Sequence, residues 1–257
     1  MKKELTVIKV GGKIVEEEST LSDLLMRFAS LPGHKVLVHG GGRSATKIAS
    51  QLGIESQMVN GRRITDADML NVVTMVYGGL VNKNIVSGLQ AHGVNALGLT
   101  GADMNVIRSH KRPVKDVDYG FVGDVDTVDA KMLQKLIDEN IVPVMAPLTH
   151  DGQGHMLNTN ADTIAGETAK ALSNAYDVTL IYCFEKKGVL ADAEDDDSVI
   201  PHITEAEFKK YVEEGVIQGG MIPKLENAFQ AIKAGVNKVI ITQADAIDGQ
   251  HGTVIQG

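Results

Sequence analysis

Hydrophobic residues recur along this chain in two rhythms. Short apolar runs at residues 5–10, 35–39, 94–99, 141–146, 178–183 and 238–242 are rich in β-branched side chains and bounded by Gly, Asn, Asp or Pro. Each reads as a buried strand. Between them the spacing changes to three and four. Residues 66–92 carry Leu70, Val73, Tyr77, Leu80 and Val81 at helical spacing, and Thr65 with Asp68 three positions on predicts a capped start. Residues 130–139 carry Leu133, Leu136 and Ile137, and another helix is predicted over 162–172. Thr204-Glu205-Ala206-Glu207 is a capping-box pattern for a fourth. Over 223–234, Leu225, Ala228, Phe229 and Ile232 face inward and Gly235 is the stop. Such alternation predicts an α/β sandwich around a largely parallel sheet. Residues 104–125 break the rhythm. Their β-type residues, Lys111-Arg112-Pro113 and Tyr119-Gly120-Phe121-Val122-Gly123 predict a hairpin beside the main sheet. A boundary is expected near 173–177, dividing the chain into lobes at 1–173 and 174–257.

Composition narrows the partners. A chain of 257 residues is one large domain or two small ones. Asp plus Glu number 33 against 25 Lys plus Arg, a net charge of -8, which makes the chain a poor general nucleic-acid or anionic-membrane binder. An anionic ligand must instead be met by a few local cations. With no Trp and few aromatic residues, a base-stacking RNA module is not expected. The lone Cys183 rules out an intrachain disulfide and a cysteine-cluster metal site. No apolar run approaches the ~18 residues of a membrane span, and the N-terminal run is too short for a signal sequence. The expectation is a soluble cytoplasmic protein.

The candidate chemistry lies in glycine turns and misplaced lysines. Val10-Gly11-Gly12-Lys13 and His39-Gly40-Gly41-Gly42-Arg43 each follow a strand. Glycine lets a ligand approach the backbone, and a following helix N-terminus offers free N–H groups to an anion. A lone Gly-Gly reads as a tight turn; two with adjacent cations read as an anion site. Neither is a Walker A loop or a spaced G-x-G-x-x-G. Lys9 interrupts an apolar run, where a buried ammonium is costly unless paired. Lys224 opens a helix against its macrodipole, just after Gly219-Gly220-Met221. Both placements suit a phosphate chain; the alternatives are an edge-strand lysine that snorkels and a solvated surface lysine. Asn158-Thr159-Asn160-Ala161-Asp162 precedes a helix that Asn160 or Asp162 could cap. Asn60-Gly61-Arg62-Arg63-Ile64-Thr65 offers arginine for carboxylate capture, or is an ordinary exposed loop. The acidic run at 192–197 lacks EF-hand spacing and reads as a solvated loop.

Taken in order, these motifs, with Phe121-Val122-Gly123-Asp124, resemble those of the amino acid kinase family over nearly the whole chain, closest to members acting on N-acetyl-L-glutamate. The resemblance implies a three-layer αβα sandwich with a mostly parallel eight-stranded sheet. The N-terminal lobe would bind the acyl-glutamate and form the dimer; the C-terminal lobe would bind ATP. The implied reaction is phosphorylation of the side-chain carboxylate by Mg-ATP, in arginine biosynthesis. Lys9 and Lys224 match the lysines that stabilise the transferring phosphoryl group, and Asp162 the aspartate that holds them. Gly41, Gly42, Arg63 and Asn158 match substrate-binding positions. Gly11, Gly12, Gly40, Glu185, Gly188, Gly219, Gly220 and Met221 would line the nucleotide and phosphate path. Magnesium would ride on the ATP phosphates without protein ligands, and no tightly bound cofactor is implied. One stretch departs: Phe184-Glu185-Lys186-Lys187 stands where the family shows Ser/Thr-Asp-Val, which puts the nucleotide pocket in doubt. The chain also starts almost at its first strand, which implies a plain homodimer without arginine feedback. Alternatives are another small-acid or carbamate kinase, a kinase for another acyl-glutamate such as N-succinyl, and a non-catalytic metabolite-binding protein.

Overall fold

The computed structural model describes residues 2–59 and 61–257. Asn60, first residue of the Asn-Gly-Arg-Arg motif, lies outside the described residues. The chain runs β1 (Lys3–Val10), α1 (Gly12–Glu16), α2 (Glu18–Ser30), β2 (His34–His39), α3 (Gly42–Gln51), β3 (Met58–Val59), β4 (Arg62–Arg63) and α4 (Ala67–Val73). A π-helical segment, Thr74–Val81, leads into α5 (Asn82–Ala91), β5 (Ala96–Leu99), β6 (Ile107–Lys111), β7 (Gly123–Val128), α6 (Ala130–Asp138) and β8 (Val142–Met145). Then come β9 (Leu148–His150), β10 (Met156–Asn158), α7 (Ala161–Leu172), β11 (Tyr176–Phe184), β12 (His202–Thr204), α8 (Glu205–Glu213), α9 (Met221–Lys233), β13 (Lys238–Gln243) and β14 (Thr253–Gln256).

Eight strands form the main sheet in the order β12-β14-β13-β11-β1-β2-β8-β5. All pairs are parallel except β13 with β14. The expected three layers follow from the strands' two-sided burial. Leu5 and Val7 of β1 join one core cluster with Leu133 of α6, Ile164 and Ala169 of α7, and Leu225 and Phe229 of α9. Ile8 and Val10 join the opposite cluster with Leu24 and Phe28 of α2, Ala45 of α3, Val72 of α4 and Ile85 of α5. Side chains on a strand alternate faces, so Lys9 shares the face of Leu5 and Val7 toward α7. It does not sit on an edge strand. Lys9 pairs with Val38 on one side and Tyr182 on the other, in the middle of the sheet, so snorkelling is closed to it.

The hairpin expected over 104–125 is present as β6 and β7, and it belongs to a four-stranded sheet, β10-β9-β6-β7. The run 66–92 is not one regular α-helix, since Thr74–Val81 is wound as π-helix. Its cap is Asp66, whose carboxylate accepts from Met69 N–H at 2.8 Å. Thr65 cannot serve, because its N–H donates to Tyr119 O and its hydroxyl bonds Arg63 O and Asn158 Nδ2. The Thr204–Glu207 capping box forms as expected.

Candidate active site

The site lies where the carboxyl ends of β1, β2 and β11 meet the glycine turns after β1 and β2. Gly11 N–H donates to Cys183 O at 3.1 Å and Gly40 N–H to Val10 O at 3.0 Å, tying both turns to neighbouring strands. The turns face each other closely. A Cβ on Gly40 would stand 3.2 Å from Gly12 N, and one on Gly12 would be 3.8 Å from the nitrogens of Gly41 and Gly42. Gly41 has φ 153°, and a Cβ there would meet the Tyr77 ring at 3.0 Å. Glycine is therefore required by conformation and by space. Among the described residues, the N–H groups of Gly12, Gly41 and Gly42 have no acceptor. Three free donors converge on one small space, with the ten-residue helix α3 starting behind two of them.

Two ammonium groups border that space. Lys9 Nζ lies 2.8 Å from Asp162 Oδ1, with both side chains largely buried. That oxygen makes no directed hydrogen bond, so the contact is an ion pair. Asp162 is free to face Lys9 because Asn160 caps α7, its Oδ1 accepting from the N–H groups of Asp162 and Thr163 at 2.7 and 3.1 Å. Lys224, from the first turns of α9, stands 3.7 Å from the centroid of the Phe184 ring, and Lys9 stands 4.8 Å from it. The negative ring face offsets part of the repulsion between the two cations. Burial pulls the Lys224 pKa below its usual value; Asp162 opposes this, and the Lys9 charge adds to it. A bound anion would stabilise both charges.

Two cavities open from the glycine turns and share Gly40, Gly41, Gly42, Met58 and Arg63. The larger, about 590 Å³, also exposes Lys9, Gly11, Gly12, Glu185, Gly188, Met221 and Lys224. The smaller, about 190 Å³, exposes Arg62, Arg112 and Asn158. A third cavity of about 620 Å³ adjoins the larger through Lys186, Gly188 and Met221. The sequence-predicted residues thus come together, with exceptions. Gly219 and Gly220 precede α9 and line none of the three cavities. Glu185 is half exposed and pairs with Lys13 at 3.3 Å and Arg43 at 3.7 Å across the rim of the larger cavity. Asp162 stands behind Lys9 and lines neither shared cavity.

Arg63 is held from β4 in the wall between the cavities, 8 % exposed. Its Nη2 donates to Gly42 O at 2.8 Å and Thr46 Oγ1 at 2.9 Å, and its Nη1 to Ser56 Oγ. A guanidinium has five N–H donors, so these three bonds leave at most two, which the neighbouring Tyr77 hydroxyl shares. Asn158 Nδ2 donates to Thr65 Oγ1 at 2.9 Å. Arg112 grips Asp124 through Nε at 3.1 Å, and that bond holds the Asp124 carboxyl below its usual pKa. Its buried Nη1 has no partner among the described residues. Tyr77 and Arg112 are site residues that the sequence did not mark as such, and Phe184 was marked only as part of a departure from the family pattern. Aromatic residues at strand and helix spacing read as core, and a hairpin arginine reads as surface. The burial of Cys183 pushes its thiol up to about 12, which leaves it inert at neutral pH. In the acidic loop, Lys186 pairs with Asp196 at 2.7 Å and Lys187 with Asp197.

The model of the amino acid kinase family matches residues 4–243. Acetylglutamate kinase of Bacteroides thetaiotaomicron is 77% identical over 256 residues, covering 100% of both chains. The crystal structure of smu.665 from Streptococcus mutans UA159 covers 98% of each chain at 30% identity and a TM-score of 0.79. Carbamate kinase from Giardia lamblia bound to AMP-PNP, at 16% identity, covers 99% of this chain and 98% of its own, with a TM-score of 0.68. At that identity the likeness concerns the fold alone.

Proposed function

The chain belongs to the amino acid kinase family, and on that premise we propose that it transfers the γ-phosphoryl group of ATP to the side-chain carboxylate of N-acetyl-L-glutamate. The product is N-acetyl-L-glutamyl 5-phosphate, an intermediate of arginine biosynthesis. The observation that carries this reading is the meeting of Lys9, Lys224 and three free glycine N–H groups at the junction of the cavities. A carboxylate oxygen attacks the γ-phosphorus; the bond to the bridging oxygen breaks, and its electron pair leaves with ADP. The carboxylate is already ionised at neutral pH, so no general base is needed. What the reaction lacks in solution is a way to bring two anions together. Lys9, Lys224 and the free N–H groups supply it, as positive charge and fixed dipoles aimed at the transferring group. Asp162 fixes Lys9 and keeps its charge in place.

Arg63 and Asn158 hold the acyl-glutamate in the smaller cavity, beside Gly41 and Gly42. Gly11, Gly12, Gly40 and Gly188 line the phosphate path, and the nucleoside extends past Met221 into the third cavity. Magnesium carried on the ATP phosphates would neutralise part of their charge, with no protein side chain assigned to hold it. Residues 1–173 and 174–257 serve as the acyl-glutamate and ATP lobes, respectively. The protein works in the cytoplasm as a homodimer; Met75 and Leu80 of the π-helical segment and Leu97 of the edge strand β5 are exposed apolar side chains for such an interface. Incubation with N-acetyl-L-glutamate and ATP should release ADP and, with hydroxylamine present, yield one hydroxamate per ADP. ADP release without hydroxamate, or none at all, rules the reaction out.

A second reading concerns the acyl group and rests on Arg112. Its buried Nη1 is unpartnered among the described residues, and Arg62 lines the same cavity as Arg112. Acetyl brings no charge to meet them, whereas succinyl adds a carboxylate. A kcat/KM for N-succinyl-L-glutamate at least tenfold above that for the acetyl compound, lost in Arg112→Leu, supports it. Equal or lower values discard it.

A further inference from the structure

His39 ends β2 and opens the glycine turn, yet its ring faces the interior and is fully buried. Its Nδ1 lies 2.7 Å from the carbonyl oxygen of Gly40. A carbonyl only accepts, so Nδ1 carries the proton. Its Nε2 lies 3.1 Å from Asn82 Nδ2, an amide group that also donates to Val144 O at 2.9 Å. The Asn82 orientation is held from its other end as well, since its Oδ1 accepts from Lys83 Nζ at 3.1 Å. Turning the amide round would break both contacts. Asn82 therefore presents a donor, and Nε2 is left as an acceptor. The ring is neutral with one tautomer, which agrees with burial pulling its pKa down to about 4.

That tautomer bears on the reaction. In a trans peptide the C=O and N–H point in opposite directions. Holding the Gly40 oxygen against His39 turns the Gly41 N–H away from the core, toward the junction of the cavities. Gly41 has no side chain and a φ of 153° that few neighbours would enforce. A bond from an immobile ring can fix this peptide where glycine alone would leave it free.

We propose that His39 and Asn82 are positioning residues for phosphoryl transfer: through the Nδ1–H bond to Gly40 O they aim the Gly41 N–H at the transferring group. The inference rests on the kinase reading above. Neither residue lines either of the two shared cavities. A donor aimed in advance costs no reorganisation in the transition state, and loss of one such donor typically costs about 10²–10³ in kcat. Misaiming it should cost less, roughly tenfold to a hundredfold.

Asparagine and glutamine separate the two ring nitrogens. In His39→Asn the shorter amide reaches the place of Nδ1 and can still donate to Gly40 O. In His39→Gln the longer amide reaches the place of Nε2 and cannot. His39→Gln should lower kcat about tenfold to a hundredfold, with both KM values within about twofold. His39→Asn should restore kcat to within about fivefold of the parent. A merely structural role predicts that both variants lose stability alike and lose kcat alike; equal kcat values at comparable Tm overturn the proposal. Should neither variant fold, ¹⁵N NMR of the parent decides. A proton on Nδ1 supports the proposal, and one on Nε2 overturns it. The NMR arm needs no turnover, so it holds even if N-acetyl-L-glutamate proves not to be the acceptor.

Discussion

At the scale of single residues, the two lysines occupy unequal sites and should respond differently to removal. Lys9 is paired with a largely buried carboxylate. Lys9→Met strands Asp162, and breaking a buried pair typically costs about 3–5 kcal/mol. Lys224 has no such close partner among the described residues, and burial already disfavours its charge. Lys224→Met should leave the Tm of the ligand-free protein unchanged or higher. On the proposed mechanism both variants should lose kcat far more than they raise KM, because both charges would act on the transferring group. Thermal melts and steady-state kinetics on the pair check this; a Lys224→Met protein less stable than Lys9→Met contradicts it. His39 gives a pH dependence. Its pKa is about 4 in the folded protein against 6.5 for an ordinary histidine. Below pH 6.5 the unfolded chain takes up a proton that the native state refuses. Stability should therefore fall as pH drops from about 6.5 to about 4, by up to about 1.4 kcal/mol per pH unit. Denaturation midpoints at pH 7 and pH 5 should differ less in His39→Asn than in the parent. Much of this was legible in the sequence for Lys9, since a charge inside an apolar strand must find a partner. Spacing along the chain did not give that partner, because it does not say which face of β1 meets α7; only the family resemblance named Asp162. Nor did the sequence reveal the Phe184 ring lying under both lysines.

At the scale of elements, the long strands and the capped helices were readable, and the short or irregular pieces were not. The six apolar runs all lie in the main sheet, whereas β12 and β14, of three and four residues, close its far edge with too few residues to show a pattern. The helix α2 carried Leu24, Leu25 and Phe28 as a signal that could have placed it. The π-helical segment was invisible because its hydrophobic spacing over so few turns fits an α-helix equally well. It carries one contact that matters and adjoins another: Tyr77, within it, packs on Gly41, and Asn82, just past its end, reaches His39. Asn82 in turn demands a glycine in β5, since a Cβ on Gly98 would stand 1.9 Å from Asn82 Oδ1. Gly98→Ala should cost about 1–3 kcal/mol by overpacking and should also lower kcat as Asn82 moves. Gly79, inside the π-helical segment, has nothing within 4 Å of a Cβ. Gly79→Ala should be neutral or raise stability, by about 0.4–1 kcal/mol. Chemical denaturation of both variants tests the contrast, and equal destabilisation would count against this reading of the glycines.

At the scale of the whole molecule, charge is distributed unevenly. The chain carries a net -8, yet Lys9, Lys13, Arg43, Arg62, Arg63, Arg112 and Lys224 all line the two shared cavities. Such focusing draws anionic substrates to one mouth on an otherwise repellent surface. Raising ionic strength from about 0.01 to about 0.15 M shortens the screening length from about 30 Å to about 8 Å. The kcat/KM for the acyl-glutamate should fall several-fold over that range; a flat or rising profile would show that the acidic remainder dominates the approach. The sheet order has a separate consequence for how the molecule is made. β1 leaves the ribosome first, and β2, β5 and β8 soon follow, so residues up to Met145 can lay down half the sheet. The other edge of β1 belongs to β11, whose first residue is Tyr176, and Asp162 also arrives late. Until then the strand that bears Lys9 is an open edge with an unneutralised ammonium near its end. An ammonium on a nascent edge discourages pairing with the wrong chain. Protease resistance of ribosome-bound chains should accordingly rise only once Phe184 has cleared the exit tunnel, and the lysine proposed to serve phosphoryl transfer would then also guard the half-made sheet during translation.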